Sequence, residues 1–442
     1  MHILPLLIWC CVDIYKIIPM RKLFSLILFT FISVFAFAQD LEYVRTLIDS
    51  LCSPHMHGRG YVNNGQAIAS DFIAKEFAKD TLNSFGGNYF QKFSLSLCTL
   101  PGAVEFRAGN KKMKPGIDFM IASSSASVKG KFKVLTFDSL LITNKNAFEK
   151  FLLNDFSDKF VLIDKSGFHE KKMKKAVDSI IDYNIFQAKG IIVPEDKLVW
   201  GVEDALYPST WSTLYLLKTK YSKKIKKISL TVERVIESFY EMKNVIGYIE
   251  GNTKPDSFIV FTAHYDHLGQ MGKDVYFPGA NDNASGVAMM LNLAKYYSEN
   301  KPGYSVVFIA TTGEELGLKG SFYFVQHPLF SISNIRFLIN LDLEGTGDDG
   351  IKVVNGTIFQ KEFDLLNKIN YENKYLTAVS KRGEAAISDH YPFYAKGVKS
   401  FYIYTLGGIT EYHNIYDKAE TLPLTKYNEV FKLITDFINA LE

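Results

Sequence analysis

The sequence predicts an α/β fold: a three-layer sandwich around a largely parallel, mixed sheet, with a β-rich domain inserted early in the chain. Three observations lead to this prediction. After about residue 230, runs of β-branched and aromatic residues alternate with helical periodicity, as in parallel strands that are covered on both faces. Residues 99–229 are instead rich in lysine and in short β-like runs. The length of 442 residues suits two units of ordinary domain size.

Composition and charge narrow the class of protein. The chain is 47% hydrophobic and 22% charged and contains 13 prolines, so it is globular rather than disordered. Its net charge of +3, from 50 basic and 47 acidic residues, gives no reason to expect nucleic acid as a partner. Beyond the N-terminal region only Cys52 and Cys98 remain, too few for a disulfide framework.

The N-terminal region has the outline of a secretory signal peptide over residues 1–38. Arg21-Lys22 precede the apolar run Leu23–Phe37, and Ala36-Phe37-Ala38 forms a small-x-small cleavage site. The run is shorter than the roughly 20 residues of a transmembrane helix, and no cysteine follows for lipid attachment, so no stable membrane anchor is expected. We therefore expect an exported protein, periplasmic or extracellular, with Met20 as the favoured start.

The predicted elements follow the periodicity of the apolar residues. Residues 40–79 form two helices around the loop Ser53–Gly60, whose His55 and His57 are interpreted as loop residues, and Tyr89–Leu97 is a strand. The insert contains one helix, Ala176–Ala188, and four strands, Phe132–Phe137, Phe160–Ile163, Ile191–Val193 and Tyr215–Leu217. The last part contains the strands Asn244–Ile249, Phe258–His264, Ser305–Thr312, Phe337–Asp342 and Ser400–Leu406, and helices after Asp282, at Lys361–Asn370 and at Lys426–Leu441.

Four of these strands are followed by residues of the types that bind metals. His264 ends one strand, Glu314 and Glu315 follow the next, Asp342 ends a third, and His413 follows the last. In open α/β sheets, ligands bind beyond the carboxyl ends of the strands. We therefore expect these side chains to meet at one edge of the sheet.

Asp282 lies in the polar loop Pro278–Gly286, directly before an apolar helix. An aspartate at this position is ordinarily an N-cap, because its side chain accepts orphan backbone N–H bonds. The positive end of the helix dipole would also help to keep it ionised. Because metal-type ligands lie on either side of it in the sequence, Asp282 is better interpreted as a carboxylate that bridges two metal ions.

The donor types indicate the metal and the chemistry. Histidine nitrogen and carboxylate oxygen without thiolate suit zinc in a catalytic site, and a carboxylate can bridge two ions about 3.5–4 Å apart. The adjacent Glu314 and Glu315 cannot easily bind one ion, so Glu315 is predicted as a ligand and Glu314 as the general base. Asp266 is predicted to accept a hydrogen bond from the distal nitrogen of His264 and to fix its tautomer. His267 is either a further supporting residue or an ordinary loop residue.

Together these motifs resemble those of the co-catalytic di-zinc exopeptidase family, which includes the bacterial leucyl aminopeptidases, aminopeptidase Y and glutamate carboxypeptidase. They occur in the family's order, over the N-terminal helices and everything after about residue 230. The motifs are His264-x-Asp266, Gly279-x-Asn281-Asp282-Asn283-x-Ser285-Gly286, Glu314-Glu315-x-Gly317, Asn340-x-Asp342, and Tyr412-His413 with Asp417. The segment Ser388-Asp389-His390 also resembles a family segment near the substrate, although a helix cap explains it equally well.

The resemblance implies a zinc-exopeptidase-like fold that holds two Zn²⁺ ions. The implied ligands are His264 and Asp342 for one ion and Glu315 and His413 for the other, with Asp282 as the bridge. The implied catalytic residues are Glu314 as general base, Tyr412 as a donor to the developing oxyanion, and the supporting Asp266. Residues 39–98 and 230–442 would form the peptidase domain, and residues 99–229 are similar to a protease-associated domain.

The implied function is an exported, zinc-dependent aminopeptidase that removes N-terminal residues from peptides through a metal-bridging hydroxide. A carboxypeptidase or dipeptidase on the same site is the alternative, and an arginine such as Arg59 or Arg382 would then bind the substrate carboxylate. A non-catalytic, receptor-like protein on the same fold is a further alternative. Loss of ligands or of the base would indicate it, and the sequence retains them all.

Overall fold

The computed structural model describes residues 41–206, 208–221 and 225–441. The predicted signal peptide, residues 1–38, and the alternative start at Met20 lie outside the described residues. The chain divides into two compact units, Met1–Thr46 and Leu47–Glu442, and everything below concerns the second. Within the described ranges, no helix is long and apolar enough to cross a membrane. Cys52 and Cys98 are both buried and are not joined by a disulfide.

The first sheet has eight strands in the order β1-β10-β14-β11-β15-β18-β16-β17. These strands are β1 Phe90–Thr99, β10 Val235–Ile249, β11 Lys254–His264, β14 Tyr304–Thr311, β15 Ile335–Leu341, β16 Ile351–Val354, β17 Val379–Lys381 and β18 Ser400–Thr405. The central strands β14, β11, β15 and β18 are parallel, whereas β10 and β16 pair antiparallel at either side. The predicted mixed, largely parallel sheet is confirmed.

Helices cover both faces of this sheet. They are α1 (41–51, of which residues 47–51 belong to this unit), α2 Gly65–Lys79, α6 Gly286–Glu299, α7 Lys319–Gln326, α8 Gln360–Asn373, α9 His390–Ala395 and α10 Tyr427–Leu441. Successive side chains of a strand point to opposite faces. Val260 of β11 belongs to an apolar cluster with Phe324 of α7 and Phe393 of α9, whereas the adjacent Phe261 stacks on Tyr297 of α6. The sandwich therefore has three layers, and every residue of β14 is buried between them.

The second sheet also has eight strands, drawn from the middle of the chain, in the order β3-β2-β9-β5-β6-β7-β8-β4. They are β2 Val104–Ala108, β3 Lys111–Met113, β4 Phe119–Ile121, β5 Val128–Phe137, β6 Lys159–Ile163, β7 Gly190–Glu195, β8 Ser212–Leu217 and β9 Lys227–Val232. Three helices accompany it, α3 Ser139–Thr143, α4 Lys145–Leu152 and α5 Lys171–Asp182. Both sheets belong to the unit Leu47–Glu442, and the domain boundaries at residues 99 and 229 stay predictions.

The predicted helix Ala176–Ala188 is placed too late in the chain. The structure begins α5 at Lys171 and ends it at Asp182. Asn184 then adopts a left-handed backbone, with φ 44°, and its side chain donates to the carbonyl of Ala188 at 2.8 Å and accepts from its N–H at 3.0 Å. These side-chain bonds close a turn that replaces the last turn of the predicted helix.

The second sheet shares its apolar core with a segment of residues 230–442, the predicted metal-binding part of the chain, which we call the catalytic half. Leu268, Met271 and Phe277, which follow β11, belong to the same buried cluster as Phe119 of β4 and Trp200. The segment contains a short hairpin, β12 Gln270–Met271 with β13 Val275–Tyr276. The middle of the chain therefore packs directly beneath the loop that leads to Asp282.

Candidate metal centre and active site

The predicted strand-end residues lie at one edge of the first sheet. His264 is the last residue of β11, Asp342 follows β15, and Glu314 and Glu315 follow β14 after a short turn. The loop after β18 brings His413 to the same place. Parallel strands end together at their carboxyl edge, which accounts for this convergence.

The first group of ligand-type atoms consists of His264, Asp282 and Asp342. His264 Nε2 lies 3.4 Å from Asp282 Oδ1 and 3.4 Å from Asp342 Oδ1, and all three residues are buried. Such a compact set of one imidazole and two carboxylates could hold a metal ion.

The second group is built on the other oxygen of Asp282. His413 Nε2 lies 3.0 Å from Asp282 Oδ2 and 3.2 Å from Glu315 Oε2. His267 Nδ1 donates to Glu315 Oε1 at 2.7 Å. His267, Asp282 and Glu315 also form a set that could hold a metal. The two oxygens of Asp282 thus face two different groups.

His267 is part of this cluster, although the sequence left its role open. Its side chain is completely buried, and Nε2 has no hydrogen-bond partner in the described part of the chain. Its place three residues after His264, in a loop that leaves a buried strand, was the available signal. Its contact with Glu315, which comes from the following strand, depends on the tertiary fold and has no counterpart in the sequence pattern.

The loop that carries Asp282 is fixed from two sides. Asp417 accepts hydrogen bonds from the backbone N–H groups of Asn281 at 2.8 Å and Asp282 at 3.0 Å. On the other side the fully buried Arg59 donates to the carbonyls of Pro278 at 2.6 Å, Gly279 at 2.7 Å and Asp282 at 3.3 Å. Backbone contacts therefore leave the Asp282 carboxylate free to face the histidines.

Asp282 does not cap the helix that follows it. Residues 280–285 form an irregular wide turn, in which Asp282 has φ −110° and ψ 95°, and the peptide bond to Asn283 is cis. The backbone N–H of Gly286 donates instead to Asn283 Oδ1 at 3.0 Å. The wide turn places Asp282 away from the first turn of α6. The side-chain amide of Asn283 therefore caps the helix in place of Asp282.

A chain of hydrogen bonds orients Asp342 from within the sheet. Thr262 donates to Asn340 at 2.6 Å, Asn340 donates to Ser388 Oγ at 2.8 Å, and Ser388 donates to Asp342 Oδ2 at 2.7 Å. Thr262 and Asn340 are register partners on β11 and β15, which explains the first bond. Ser388 therefore supports a predicted ligand.

The adjacent Asp389 belongs to a different hydrogen-bond network. Its side chain makes no capping bond with α9 and accepts from the hydroxyls of Thr311 and Ser321 instead. Asp389 is fully buried, and so is His390 beside it. The helix-cap interpretation of this segment is wrong for Asp389.

Asp266 supports the site in a different way from the one predicted. His264 Nδ1 contacts the backbone carbonyl of Asp266 at 3.1 Å, and the Asp266 carboxylate is 3.9 Å away. That carboxylate accepts from the hydroxyl of Tyr61 at 2.8 Å and from the backbone N–H of Glu314 at 3.3 Å. The carbonyl lies closer because the chain turns directly after His264, so the carboxylate is free to hold Glu314 in place.

A cavity of about 260 Å³ opens onto the two groups. Its lining combines ligand-type residues and Glu314 with apolar and aromatic side chains. The lining residues are His264, Asp282, Glu314, Asp342, Leu343, Ile387, Tyr402, Tyr404, Tyr412 and His413. Tyr412 is 46% exposed and stacks on His413, with 3.9 Å between the ring centroids.

Comparison with known proteins identifies the family. A profile of peptidase family M28 matches residues 244–438, which contain every residue of both groups. Residues 244–438 of the chain are therefore similar to peptidase family M28. The match confirms the family predicted from the motifs.

Two curated relatives are similar to part of the chain. A probable zinc metalloprotease of Pyricularia oryzae is 36% identical over 116 residues, which are 25% of this chain and 23% of that protein. Aminopeptidase YwaD of Bacillus subtilis is 29% identical over 210 residues, 44% of this chain and 43% of that protein. The matched part of the chain thus spans less than half the length of these curated relatives.

Two solved structures extend the likeness of fold over nearly the whole chain. A zinc aminopeptidase from Bacillus subtilis superposes with a TM-score of 0.66 at 21% identity, over 90% of this chain and 94% of its own. A peptidase M28 precursor from Shewanella amazonensis superposes with a TM-score of 0.67 at 15% identity, over 90% and 92%. The arrangement of both sheets therefore occurs within a fold that these peptidases share.

Electrostatics separate the two adjacent glutamates of the site. Glu314 is partly exposed at the cavity wall, yet loss of solvent around its carboxyl raises its pKa well above the usual range. Repulsion from Glu315 and Asp342 also raises this pKa, whereas attraction by His264 lowers it. Burial opposes ionisation of Glu315 as well, but His413 and His267 outweigh it and lower its pKa to about 2. Two carboxylates with pKa values driven apart suit an acid–base group beside a ligand.

Proposed function

We propose that this M28 protein is a zinc-dependent aminopeptidase that holds two Zn²⁺ ions. The observation that carries the proposal is the geometry of Asp282. One of its oxygens faces His264, and the other faces His413. The proposed ligands are those the motifs imply: His264 and Asp342 on one side, Glu315 and His413 on the other, and Asp282 between them.

The donor set fits zinc. It contains imidazole nitrogen and carboxylate oxygen, and the two free cysteines take no part in it. Asp282 is held ionised, since its hydrogen bonds with His264 and His413 outweigh the effect of burial and keep its pKa well below the usual range. When bound, zinc supplies a Lewis acid for the scissile carbonyl and lowers the pKa of water in the site.

The chain's own residues supply proton transfer and orientation. Glu314 at the cavity wall is the proposed general base, and the bond from its N–H to Asp266 holds it there. Burial and the nearby carboxylates of Asp282 and Glu315 raise the pKa of Tyr412, so its hydroxyl stays protonated and can donate to a developing oxyanion.

The charge of the cavity favours a free amino terminus over a free carboxylate. Apart from histidine and tyrosine, its titratable lining consists of the carboxyl groups of Asp282, Glu314 and Asp342, and none of the described lining residues is arginine or lysine. Arg59 is buried and donates to backbone carbonyls, so it cannot receive a substrate carboxylate. Arg382 is not among the lining residues. Complementary charge therefore supports the aminopeptidase over the carboxypeptidase alternative.

Two further features belong to this proposal. We propose that residues 1–38 direct export to the periplasm or the extracellular space, where peptides are the substrates. We also propose that residues 99–229 form a protease-associated-like domain. The receptor-like alternative is disfavoured, because both groups and Glu314 are present around one cavity.

The function can be tested with zinc-loaded protein and four matched substrate sets. These are aminoacyl anilides, the same anilides with an acetylated amino group, peptides blocked at the amino terminus but free at the carboxyl terminus, and free dipeptides. We expect turnover of the free-amine anilides and none of their acetylated partners. Turnover confined to peptides with a blocked amino terminus would overturn the aminopeptidase assignment in favour of a carboxypeptidase.

A further inference from the structure

We propose that the inserted part of the chain completes the second metal group, with Trp200 as the residue that positions His413. The inference rests on the proposed metal centre and concerns how one of its ligands is held. The decisive contact joins two segments that are 213 residues apart.

Trp200 and His413 are joined by a reciprocal pair of hydrogen bonds. The backbone N–H of Trp200 donates to the carbonyl of His413 at 2.9 Å. In return His413 Nδ1 lies 3.0 Å from the carbonyl oxygen of Trp200. Because a carbonyl can only accept, Nδ1 carries the proton, and Nε2 is left to face Asp282 and Glu315.

The backbone of His413 needs such support. Its φ of 52° lies in the left-handed region, which residues other than glycine rarely adopt and which persists only where the surroundings enforce it. The exposed ring of Tyr412 stacks on one face of the imidazole but makes no bond to its nitrogens. A second contact from the same inserted segment is the bond from Lys197 Nζ to the carbonyl of Thr410 at 2.7 Å.

Trp200 is itself rigidly anchored on both sides of the junction. Its indole Nε1 donates to the carbonyl of Ile121, in β4 of the second sheet, at 2.6 Å. Its ring stacks on Phe277 of the catalytic half, with 4.7 Å between centroids and 11° between planes. Phe277 directly precedes the loop that carries Asp282, and Trp200 is only 4% exposed. The side chain of Trp200 thus anchors it to the second sheet and to the segment before the Asp282 loop, while its backbone is bonded to His413.

The two histidines of the centre are therefore supported differently. His264 Nδ1 contacts a carbonyl in its own loop, that of Asp266, whereas His413 depends on the insert. Residues that orient a ligand commonly change metal affinity by about 10–100-fold when they are replaced. We expect loss of the Trp200 anchor to weaken the ion held by His413 and to spare the one held by His264.

The test compares zinc binding by W200A, W200F and W211F with that of the native chain. W211F is the matched control, because Trp211 lies in the same insert and donates its Nε1 hydrogen to Thr213 at 3.2 Å. In competition with a chelator, W200A should bind one of its two zinc ions at least about tenfold more weakly than the native chain, as H413A should. W200F should show a smaller loss of zinc affinity. W211F should match the native chain.

Two outcomes separate this inference from the proposed function. Two zinc ions bound with native affinity by a folded W200A would overturn the role of Trp200 and leave the di-zinc centre standing. A native chain that binds a single zinc would overturn both. Circular dichroism and thermal unfolding of the variants without zinc establish that they are folded.

A spectroscopic experiment tests the same link without disturbing it. The chain has three tryptophans, so W9F/W211F leaves Trp200 alone. Because its backbone is bonded to His413, zinc titration should shift the Trp200 emission only as the second ion binds, and H413A in this background should abolish the shift. Emission that does not change on titration would contradict the link.

Discussion

Asp282 Oδ2 lies 3.0 Å from His413 Nε2, whereas Asp282 Oδ1 lies 3.4 Å from His264 Nε2. A single carboxylate therefore stands between two imidazoles that come from opposite ends of the catalytic half. Its backbone is held by Arg59 and Asp417, which leaves little freedom for another orientation. This rigidity is what a bridging ligand requires, because two ions about 3.5–4 Å apart tolerate little movement of the group between them.

Replacement of Asp282 should affect both metals. We expect D282A to lose most of its bound zinc, because each of the two groups then keeps only its other ligands. Metal content per chain, measured by mass spectrometry after dialysis, checks this expectation. D364A, which removes an exposed aspartate of α8, is the matched control and should keep the native content. A full complement of zinc in D282A would assign the bridge to another residue.

Replacement of Glu314 should separate catalysis from metal binding. E314Q removes the proton acceptor but keeps the size of the side chain, so kcat should fall by about 10²–10⁴-fold while zinc content stays near two per chain. E315Q provides the contrast, since it should lose zinc as well as turnover. Turnover of E314Q within tenfold of the native value would exclude Glu314 as the general base.

The sequence was sufficient to predict the strands and the metal-type side chains that meet at their ends. Continuous apolar runs identify buried parallel strands, and parallel strands bring their carboxyl ends together whatever the details of packing. His264 and Asp342 could therefore be grouped without knowing any distance. The order of the strands in the sheet does not have to be known for this grouping, because it depends only on the strands running in the same direction.

Contacts that depend on packing could not be predicted. The burial of His267 against Glu315 and the bond from His413 to Trp200 join residues that no periodicity relates. The sequence correctly predicts that Asp266 lies beside His264, but it predicts the wrong acceptor. The spacing of the two residues does not show whether the backbone carbonyl or the carboxylate of Asp266 lies nearer to His264 Nδ1.

Arg59 should be essential to stability. Its guanidinium is fully buried and donates to the carbonyls of Leu51, Tyr265, Pro278 and Gly279. R59M would remove the Arg59 donor from the carbonyls of Leu51, Tyr265 and Pro278, at a cost of about 1–3 kcal/mol each, so the free energy of unfolding should fall by more than about 3 kcal/mol. The carbonyl of Gly279 would keep the hydrogen bond from the backbone N–H of Ala284 at 3.1 Å. R107A, on the exposed side of β2, should change it by less than about 0.5 kcal/mol. Urea unfolding measures both, and equal midpoints would contradict the expectation.

Ser388 should tune the affinity of the first group. S388A removes the hydrogen bond to Asp342 Oδ2 and leaves Asn340 without its acceptor. Loss of such an orienting bond should weaken one zinc ion by about 10-fold or more. Chelator competition gives the affinity, with S331A, at an exposed serine before β15, as the control. If S388A and S331A bind zinc equally well, the hydrogen-bond chain does not orient the ligand.

His390 should make the stability of the fold depend on pH. Burial lowers its pKa from 6.5 to about 4, against the opposing effect of backbone groups of Ala385 and Ser388. Between these two values the unfolded chain binds a proton that the folded chain does not, so the free energy of unfolding falls as the pH falls. The contribution is complete above pH 6.5 and is lost as the pH drops through about 4, at a slope of up to about 1.4 kcal/mol per pH unit.

Urea unfolding from pH 7.5 to 4.5, with excess chelator to remove the effect of zinc, should show a shallower dependence for H390N than for the native chain. The slope is the relevant measurement, because H390N also changes packing at every pH, and parallel curves would show that His390 is protonated equally in both states.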